Sequence, residues 1–407
     1  MNTSNSCIYL DYNATTPLAD EVLTSITDAL KDAWANPSSS HTAGLKAKQI
    51  ISTARQNVAR MIGAKSSDII FTSGGTEGNN WILQTAIKHY RLRFQDEKCI
   101  NDGIDKLPHI ITSNLEHDSI KCVLQQFVNE RLADVTYVEA SHSSGRIEVD
   151  DILSAIQPTT CLITIMLANN ETGIIQPIQE ISERLNAVKR SVNESRILLH
   201  TDAAQAIGKI PVNVDNLGVD YLTIVGHKFY GPRIGAIYVN DVQQDKTPLY
   251  AMLHGGGQEY NLRSGTENTG MIAGLGKAAE LVADNLHLYQ STMLKTRNYL
   301  EEQLLVVFGK DVCINGKFTT SERLPNTCNV SFLNTELKGH EILKKCKQMQ
   351  ASVGAACHSQ NRASHILQAI GVSEKIAWSA LRISVGRETS EEDIDRVIKD
   401  IKQALGV

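Results

Sequence analysis

The sequence predicts an α/β protein built on a largely parallel sheet, followed by a smaller α+β domain. The chain has 407 residues, 42% of them hydrophobic and 21% charged, which is long enough for two or three domains with large buried cores. Between about residues 44 and 240, short β-rich runs alternate with helix-length segments. Such alternation is typical of a parallel sheet covered by helices.

The elements of the large domain follow from hydrophobic periodicity. Residues 44–62 carry apolar side chains at helical spacing and are predicted to form an amphipathic helix. Seven short runs rich in β-branched or apolar residues are the candidate strands: 69–72, 109–113, 135–138, 161–168, 197–201, 221–225 and 235–239. Most are separated by segments of helix length, such as residues 178–196. Because ligands of such sheets bind beyond the carboxyl ends of the strands, residues that follow strand ends are the functional candidates.

The last third of the chain has a different pattern. Residues 271–308 are predicted to form a long helix, 327–332 a strand and 390–405 a final amphipathic helix. We therefore predict three parts: an N-terminal segment, residues 1–20, that packs with the small domain, a large domain at 21–270 and a small domain at 271–407. Residues 353–363 (VGAACHSQNRA) have little core-forming power and predict a mobile loop.

Composition excludes several classes of protein. The formal net charge of -5 gives no basic surface for nucleic acid or an anionic membrane. No run approaches the ~18 apolar residues of a membrane span, and the N-terminus lacks the pattern of a signal or transit peptide. The 8 cysteines are scattered without a C-x-x-C pair, which favours a reducing cytosol over a disulfide framework or zinc site. We expect a cytosolic protein that acts on small ligands.

A glycine-rich motif follows the first candidate strand. Residues 71–80 (FTSGGTEGNN) leave that strand, turn on paired glycines and enter a helix. The first N–H groups of a helix have no intrahelical partners and bind anions, and Thr76 adds a hydroxyl. No Gly-Lys-Ser/Thr follows, so this is not a Walker loop. The motif indicates either a phosphate site or only a capped turn between strand and helix.

Two charged side chains follow the ends of neighbouring candidate strands. Asp202 follows the run at 197–201, and Lys228 follows the run at 221–225. Desolvation readily lowers the pKa of a lysine and so makes its amine a nucleophile toward aldehydes. Pyridoxal phosphate needs such a lysine, a carboxylate for its pyridinium nitrogen and an anion site for its phosphate. We favour this cofactor over the alternative, an ion pair between Asp202 and Lys228 at a domain junction.

Three further residues are candidates for the same site. His117 follows the run at 109–113 and could stack on an aromatic cofactor or transfer protons, although an isolated histidine is more often structural. Cys357 has small, polar neighbours and His358 beside it, which favours a reactive thiolate, whereas most free cysteines are buried hydrophobes. Arg382 lies in an apolar strand-like segment, where its guanidinium would bind a substrate carboxylate or form a structural salt bridge.

Together these segments resemble the pyridoxal-phosphate-dependent cysteine desulfurase and selenocysteine lyase family, of aminotransferase fold type I. The resemblance extends from residues 9–17 (YLDYNATTP) to the Arg382 segment. Four stretches look most like the animal, selenocysteine-specific branch: 111–120 (ITSNLEHDSI), 166–173 (MLANNETG), 223–232 (TIVGHKFYGP) and 351–358 (ASVGAACH). The resemblance implies an enzyme that decomposes L-selenocysteine to L-alanine and selenium. The alternative it leaves open is a cysteine desulfurase that forms a persulfide on Cys357.

The resemblance also implies how the cofactor is held. The matching positions are Gly75, Thr76, His117, Asn170, Asp202, Gln205, His227, Lys228 and Thr266. Lys228 would bind the cofactor aldehyde covalently, Asp202 would pair with the pyridinium nitrogen, and Gln205 would bind the phenolate oxygen. The His117 ring would stack on the cofactor, and Gly75, Thr76 and His227 would bind its phosphate. Thr266 would contact the phosphate of the partner subunit, which implies a homodimer.

The substrate would be held and cleaved by a second group of residues. The resemblance implies that Asn170 and Arg382 bind the amino acid carboxylate and that Cys357 acts with Lys228 and His117 as a catalytic residue. Val225 replaces a serine that contacts phosphate in many bacterial desulfurases, and Asp118 replaces a non-acidic residue. Our hypothesis is that the Asp118 carboxylate disfavours an anionic sulfur species and helps select selenium. By family analogy, the selenium acceptor would be selenophosphate synthetase.

Overall fold

The computed structural model describes residues 7–94, 107–188, 196–354 and 363–407. Its strands are β1 (Ile8–Tyr9), β2 (Ile69–Thr72), β3 (His109–Ser113), β4 (Asp134–Val138), β5 (Thr160–Thr164), β6 (Leu198–Asp202), β7 (Tyr221–Val225), β8 (Gly235–Val239), β9 (Val312–Asn315), β10 (Thr327–Phe332), β11 (Met349–Gln350) and β12 (Leu381–Ser384). Its α-helices are α1 (Asp20–Asp32), α2 (Thr42–Ile62), α3 (Gly75–Phe94), α4 (Asp118–Asn129), α5 (Val149–Ser154), α6 (Ile178–Asn186), α7 (Val214–Leu217), α8 (Thr269–Phe308), α9 (Gly339–Lys345), α10 (His365–Ala369), α11 (Glu374–Ala377) and α12 (Glu391–Leu405). None of the helices in these four segments is long and apolar enough to cross a membrane.

The large sheet has seven strands, in the spatial order β2-β8-β7-β6-β5-β3-β4. All neighbouring strands are parallel except β8, which is antiparallel to both β2 and β7. Strands β6 and β7 are adjacent, and Asp202 at the end of β6 pairs with Thr223 of β7. The predicted mostly parallel, seven-stranded sheet is therefore confirmed, and its parallel strands end on one edge.

Most predicted strands agree with the observed ones, but the run at 161–168 is too long. Strand β5 ends at Thr164, although the chain stays buried as far as Ala168. After β5 the chain turns back on itself, and the Asn169 N–H donates to the Ile174 carbonyl (2.9 Å). Met166 and Ala168 line the central cavity. Their apolar character thus reflects burial and not membership of the sheet, two causes that periodicity does not separate.

A second, smaller layer contains the C-terminal part of the chain. Strands β12, β10 and β9 form an antiparallel sheet, while β1 pairs in parallel with β11. The N-terminal residue Leu10 is fully buried in the same apolar cluster as Val330 and Ile401. The division of the chain at residues 20 and 270 stays a prediction. Of the loop predicted at 353–363, residues 355–362 lie outside the described residues.

Helix α8 joins the two layers. Its 40 residues begin beside α1 and α2 and end beside β9 and β10. Close packing in its first half depends on glycine, because a Cβ at Gly276 would lie 2.5 Å from Ala54 Cβ. A Cβ at Gly274 would likewise lie 2.6 Å from Ile26 Cγ1. The long predicted helix at 271–308 is therefore present, and it is fixed against the helices that cover the large sheet.

Candidate active site

The carboxyl ends of the parallel strands open into a cavity of ≈ 270 Å³. Its lining is Asn13, Ala14, Gly75, Thr76, Asn79, His117, Ser119, Met166, Ala168, Asn170, Asp202, Ala204, Gln205, Val225, His227, Lys228 and Arg382. Nine of the predicted site residues are in this set. The volume is near the lower end of the ~300–1,000 Å³ range of small-molecule sites. The sequence therefore predicted where the cavity lies, beyond the carboxyl ends of the parallel strands.

Lys228 reaches the cavity from a short 3-10 helix, Gly226–Lys228, that directly follows β7. Its Nζ donates hydrogen bonds to the carbonyl oxygens of Asn13 and Ala14, both at 2.7 Å. These carbonyls belong to the N-terminal segment, more than 200 residues earlier in the chain. The N-terminal segment therefore holds the lysine amine inside the cavity.

A chain of polar contacts connects Asp202 to His117. Asn79 Nδ2 donates to both Asp202 Oδ2 and Ser119 Oγ, each at 2.8 Å. Ser119 Oγ lies 2.9 Å from His117 Nδ1, which also accepts the Ser119 backbone N–H at 3.1 Å. Because Nδ1 accepts, a neutral His117 carries its proton on Nε2. The second carboxylate oxygen, Asp202 Oδ1, accepts the N–H of Ala204 (2.9 Å), so this side chain is held from both sides.

Gln205 faces the cavity between two polar neighbours. Its Nε2 donates to the Asn13 carbonyl (3.0 Å), and its Oε1 accepts from Lys209 Nζ (2.8 Å). Lys209 Nζ also donates to Asn13 Oδ1 (3.0 Å). Both Gln205 and Lys209 are buried, with 6% and 3% of their surface exposed. The amide of Gln205 is thus fixed in one orientation.

The helix N-terminus predicted from the glycine motif is present. Helix α3 begins at Gly75, and a Cβ there would lie 2.6 Å from Val225 Cγ2, so only glycine fits without a shift. The Glu77 carboxylate pairs with Arg263 through two hydrogen bonds, at 3.0 and 3.2 Å. This ion pair attaches the loop that contains Arg263 to the first turn of α3. Thr76 lines the cavity beside Gly75 and remains exposed.

His227 lies next to Lys228 and faces the same cavity. Its Nδ1 is 3.1 Å from Thr15 Oγ1. Burial, together with the nearby charges of Lys228 and Arg233, lowers the pKa of His227 to about 4. The ring is therefore neutral at pH 7 and offers one N–H donor, and not a positive charge, to an anion.

Arg382 lies in β12, as the sequence predicted, and only 2% of it is exposed. Its Nη2 pairs with Asp11 Oδ1 at 2.6 Å, and its Nη1 donates to the Asn170 carbonyl at 3.1 Å. A structural ion pair is therefore present, which was the alternative interpretation of this residue. Within the segments that the structure describes, the buried Nε has no hydrogen-bond partner. Because a guanidinium has five N–H donors, Arg382 keeps capacity for a ligand carboxylate.

Three predicted residues are not found in the cavity lining. Asp118 begins α4, and its carboxylate lies 3.7 Å from Lys121 Nζ, which in turn is 2.7 Å from His365 Nε2. Thr266 is exposed on the loop before α8. Cys357 lies outside the described residues. The roles predicted for all three stay predictions.

Sequence reasoning missed residues whose contacts are distant along the chain. They are Asn13, Asn79 and Lys209. Glu116, which is hydrogen-bonded to nearby Ser113, was also missed. Asn79 lies one helical turn after Gly75 on α3, and this spacing could have suggested that it faces the same strand end. Glu116 precedes His117 and is 2% exposed. No local pattern points to Asn13, although it lies within the N-terminal stretch that supports the family resemblance.

The residues present fit pyridoxal phosphate. Gly75 leaves room that a Cβ would fill, at the N-terminus of a 20-residue helix suited to a phosphate group. Asp202 supplies a buried carboxylate for a ring nitrogen, and Lys228 supplies an amine for the aldehyde. Arg382 and Asn79 line the cavity, and among the described residues the buried atoms Arg382 Nε and Asn79 Oδ1 have no hydrogen-bond partner.

By its sheet and this cavity, the protein falls into the class of fold type I pyridoxal-phosphate enzymes. More narrowly, it belongs to the aminotransferase class-V family, whose model matches residues 8–397. The predicted fold type and cofactor class are thereby confirmed.

The chain is similar to proteins from both branches of the predicted family. It is 52% identical to the selenocysteine lyase of Rattus norvegicus over 410 residues, covering 98% of this chain and 95% of the rat protein. It is 38% identical to the cysteine desulfurase IscS of Methanosarcina thermophila, covering 100% and 93%. Among solved structures, a NifS-like protein superposes with a TM-score of 0.83 at 33% identity, covering 98% of this chain and 99% of that one.

Proposed function

We propose that this protein is a pyridoxal-phosphate-dependent lyase that converts L-selenocysteine into L-alanine and selenium. The reaction breaks the bond between Cβ and selenium. The bonding electrons stay on Cβ, which gains one proton, while Cα recovers the proton that it loses, so the selenol is the net source of the hydrogen on Cβ. Selenium leaves in the zero oxidation state while the carbon is reduced, so atoms and electrons balance without an external reductant. The 52% identity to the rat selenocysteine lyase supports this substrate over cysteine.

The observation that carries the proposal is the shared position of Lys228, Asp202 and Arg382 around one cavity. A substrate amino acid bound there would place its carboxylate at Arg382 and Asn170 and its amine near Lys228. This arrangement brings the Cα proton to the side of the lysine amine. Binding energy from the carboxylate would thus orient the proton that must be removed.

The chain's own residues would then move and hold protons. When bound, pyridoxal phosphate supplies an electron sink for the pair left on Cα. Asp202 would keep a proton on the ring nitrogen, and Gln205 would donate a hydrogen bond to the ring oxygen. Lys228 would take the proton from Cα and return it at a neighbouring carbon. His117, with its proton on Nε2, would stack on the ring and can donate that proton.

Two residues would decide how selenium leaves. We propose that Cys357 either receives the selenium or protonates the product, because a thiol can do both. The selenol of the substrate is more acidic than a thiol, which in cysteine has a pKa of ~8.5, so selenocysteine enters already ionised at pH 7. The carboxylate of Asp118 would disfavour the anionic form of a nearby thiol and so keep cysteine protonated, whereas the more acidic selenol stays ionised, and this difference would help to select selenium.

The compartment, the oligomeric state and the selenium acceptor of the enzyme are also part of what we propose. We propose a cytosolic homodimer, in which Thr266 of one protomer contacts the phosphate in the other. The exposed position of Thr266 on its loop is compatible with such a contact. The selenium acceptor would be selenophosphate synthetase, as for the family by analogy. The alternative function, a cysteine desulfurase that supplies sulfur through a Cys357 persulfide, is less well supported, because the identity to IscS is 38% against 52% for the rat selenocysteine lyase.

A paired-substrate assay tests the proposal. Alanine release from L-selenocysteine and from L-cysteine is measured side by side with purified protein, and we expect the selenium substrate to react much faster. Comparable rates with both substrates would instead favour the desulfurase. Lys228→Ala should abolish turnover, whereas Lys310→Ala, at an exposed lysine, should not. Full activity of Lys228→Ala would rule out the proposed chemistry.

A further inference from the structure

Lys209 is a buried lysine beside the cavity, and the family resemblance implies no role for it in the reaction. Only 3% of it is exposed. Its Nζ donates to two oxygens, Gln205 Oε1 at 2.8 Å and Asn13 Oδ1 at 3.0 Å. Within the described segments, no ion pair joins this amine to a carboxylate. A lysine buried without a counter-charge is rare unless it serves a function.

The surroundings of Lys209 favour a neutral amine. Burial lowers the pKa of Lys209, and the positive charges of Lys228 and Arg382 lower it further. The amine donates to two oxygen acceptors, Gln205 Oε1 and Asn13 Oδ1. The amine is therefore satisfied without a carboxylate partner, and it fixes both acceptors in place.

The contacts of Gln205 with Lys209 and with the Asn13 carbonyl together decide which end of the Gln205 amide faces the cavity. An amide has nearly the same shape in both orientations, so hydrogen bonding must choose between them. In the flipped orientation, Nε2 would face the Lys209 donor and Oε1 would face the Asn13 carbonyl oxygen. The contact between the two oxygens would be repulsive, and Lys209 would lose Gln205 Oε1 as an acceptor. In the observed orientation Nε2 gives one hydrogen to the Asn13 carbonyl (3.0 Å), and its second hydrogen remains for the cavity.

The same amine fixes Asn13. Asn13 Oδ1 accepts from Lys209 and from Asn326 Nδ2 (2.9 Å), which leaves Asn13 Nδ2 to donate to Thr327 Oγ1 (2.8 Å). The backbone carbonyl of Asn13 then accepts from both Gln205 and Lys228. The buried Lys209 amine thus fixes Asn13, whose backbone carbonyl holds both Gln205 and Lys228.

We propose that Lys209 is a positioning residue that holds the Gln205 amide with its N–H donor toward the ring oxygen of the cofactor. The proposal rests on the function proposed above, which assigns Gln205 to that oxygen. Loss of Lys209 would let the amide rotate, and the ring oxygen would lose its donor in part of the molecules. Lys209 itself touches neither substrate nor cofactor.

The test uses the holoenzyme and the pH midpoint of the visible absorbance of the bound cofactor. Gln205→Leu removes the donor to the ring oxygen, which should shift this midpoint upward by about one pH unit or more, the worth of a hydrogen bond to a charged group. Lys209→Met should shift it in the same direction. The double variant should show no larger shift than Gln205→Leu alone, because both changes remove the same donor. Lys310→Met, at an exposed lysine, should leave the midpoint unchanged.

One set of outcomes would overturn only the positioning role of Lys209, and another would overturn the proposed function as well. A wild-type midpoint in Lys209→Met, or additive shifts in the double variant, would overturn the positioning role while the function stands. A purified wild-type protein that binds no pyridoxal phosphate would overturn the function and the inference together. If Lys209→Met does not fold, Lys209→Gln is measured instead. Its side-chain amide keeps an N–H donor, so its absorbance midpoint should equal that of the wild type. A shift equal to that of Gln205→Leu in this conservative variant would count against the inference.

Discussion

Replacing Glu116 with glutamine should remove part of the dependence of stability on pH. The Glu116 carboxyl group accepts hydrogen bonds from Ser113 Oγ (2.6 Å) and the Met166 N–H (2.9 Å), while its Oε2 has no partner among the described residues. Burial raises the pKa of Glu116 to about 8, and the nearby Asp202 carboxylate acts in the same direction. The folded protein therefore carries a proton here at pH 7, close to the cofactor cavity.

The magnitude follows from proton linkage at Glu116. An unfolded glutamate has a pKa near 4.5, so between pH 4.5 and 8 the folded state holds a proton that the unfolded state has lost. Stability from this group is complete below pH 4.5 and is lost as the pH rises toward 8, by about 1.4 kcal/mol per pH unit. Between pH 5 and 7 the loss is about 3 kcal/mol. Glutamine cannot ionise, and its carbonyl oxygen can still accept from Ser113 and Met166.

Urea denaturation of the wild type and of Glu116→Gln at pH 5, 6 and 7 measures this difference. The stability of the variant relative to the wild type should rise by roughly 3 kcal/mol from pH 5 to pH 7. Glu302→Gln, at an exposed glutamate on α8, is the matched control and should show no such trend. A difference between Glu116→Gln and wild type that stays constant with pH would refute the reasoning.

Three other substitutions test the site itself. Gly75→Ala should weaken pyridoxal phosphate binding by about tenfold or more, because its Cβ would lie 2.6 Å from Val225 Cγ2. Gly74→Ala, where a Cβ meets nothing within 4 Å, should keep wild-type affinity in equilibrium dialysis, and equal losses would contradict this account. Arg382→Lys should raise KM for the amino acid by about tenfold in steady-state assays, with cofactor affinity unchanged; an unaltered KM would remove its carboxylate-binding role. Asp118→Lys should lower the ratio of selenocysteine to cysteine turnover, and a constant ratio would end the selectivity hypothesis.

The positions of the strands along the chain and the edge of the sheet with the cavity could be predicted because both depend on local patterns. Apolar runs bounded by turns gave four strands of the large sheet with their observed bounds: β2, β3, β7 and β8. Asp202 and Lys228 follow strands that are adjacent in the sheet, and this adjacency brings them together. The strand predicted at 161–168 was wrong in its second half, because a buried turn and a buried strand have the same hydrophobicity.

The residues that hold the catalytic groups could not be predicted, because their contacts join distant parts of the chain. Asn79 contacts Asp202 across 123 positions, and Lys209 contacts Asn13 across 196. No periodicity or motif spacing encodes such pairs. Glu116 was missed for another reason: sequence does not show that the carboxyl group beside the cavity-lining His117 is fully enclosed, and full burial is what keeps it protonated at pH 7.

The length of helix α8 has a consequence for how the protein loses its structure. At about 1.5 Å per residue, its 40 residues form a rod of about 60 Å that belongs to both apolar cores. No proline interrupts α8, so the helix is continuous between the two cores. Unfolding of one core would therefore expose the apolar residues of half of α8 while the other half stays packed in the other core. We therefore expect the two layers to unfold together in a single calorimetric transition, even though they are distinct in architecture.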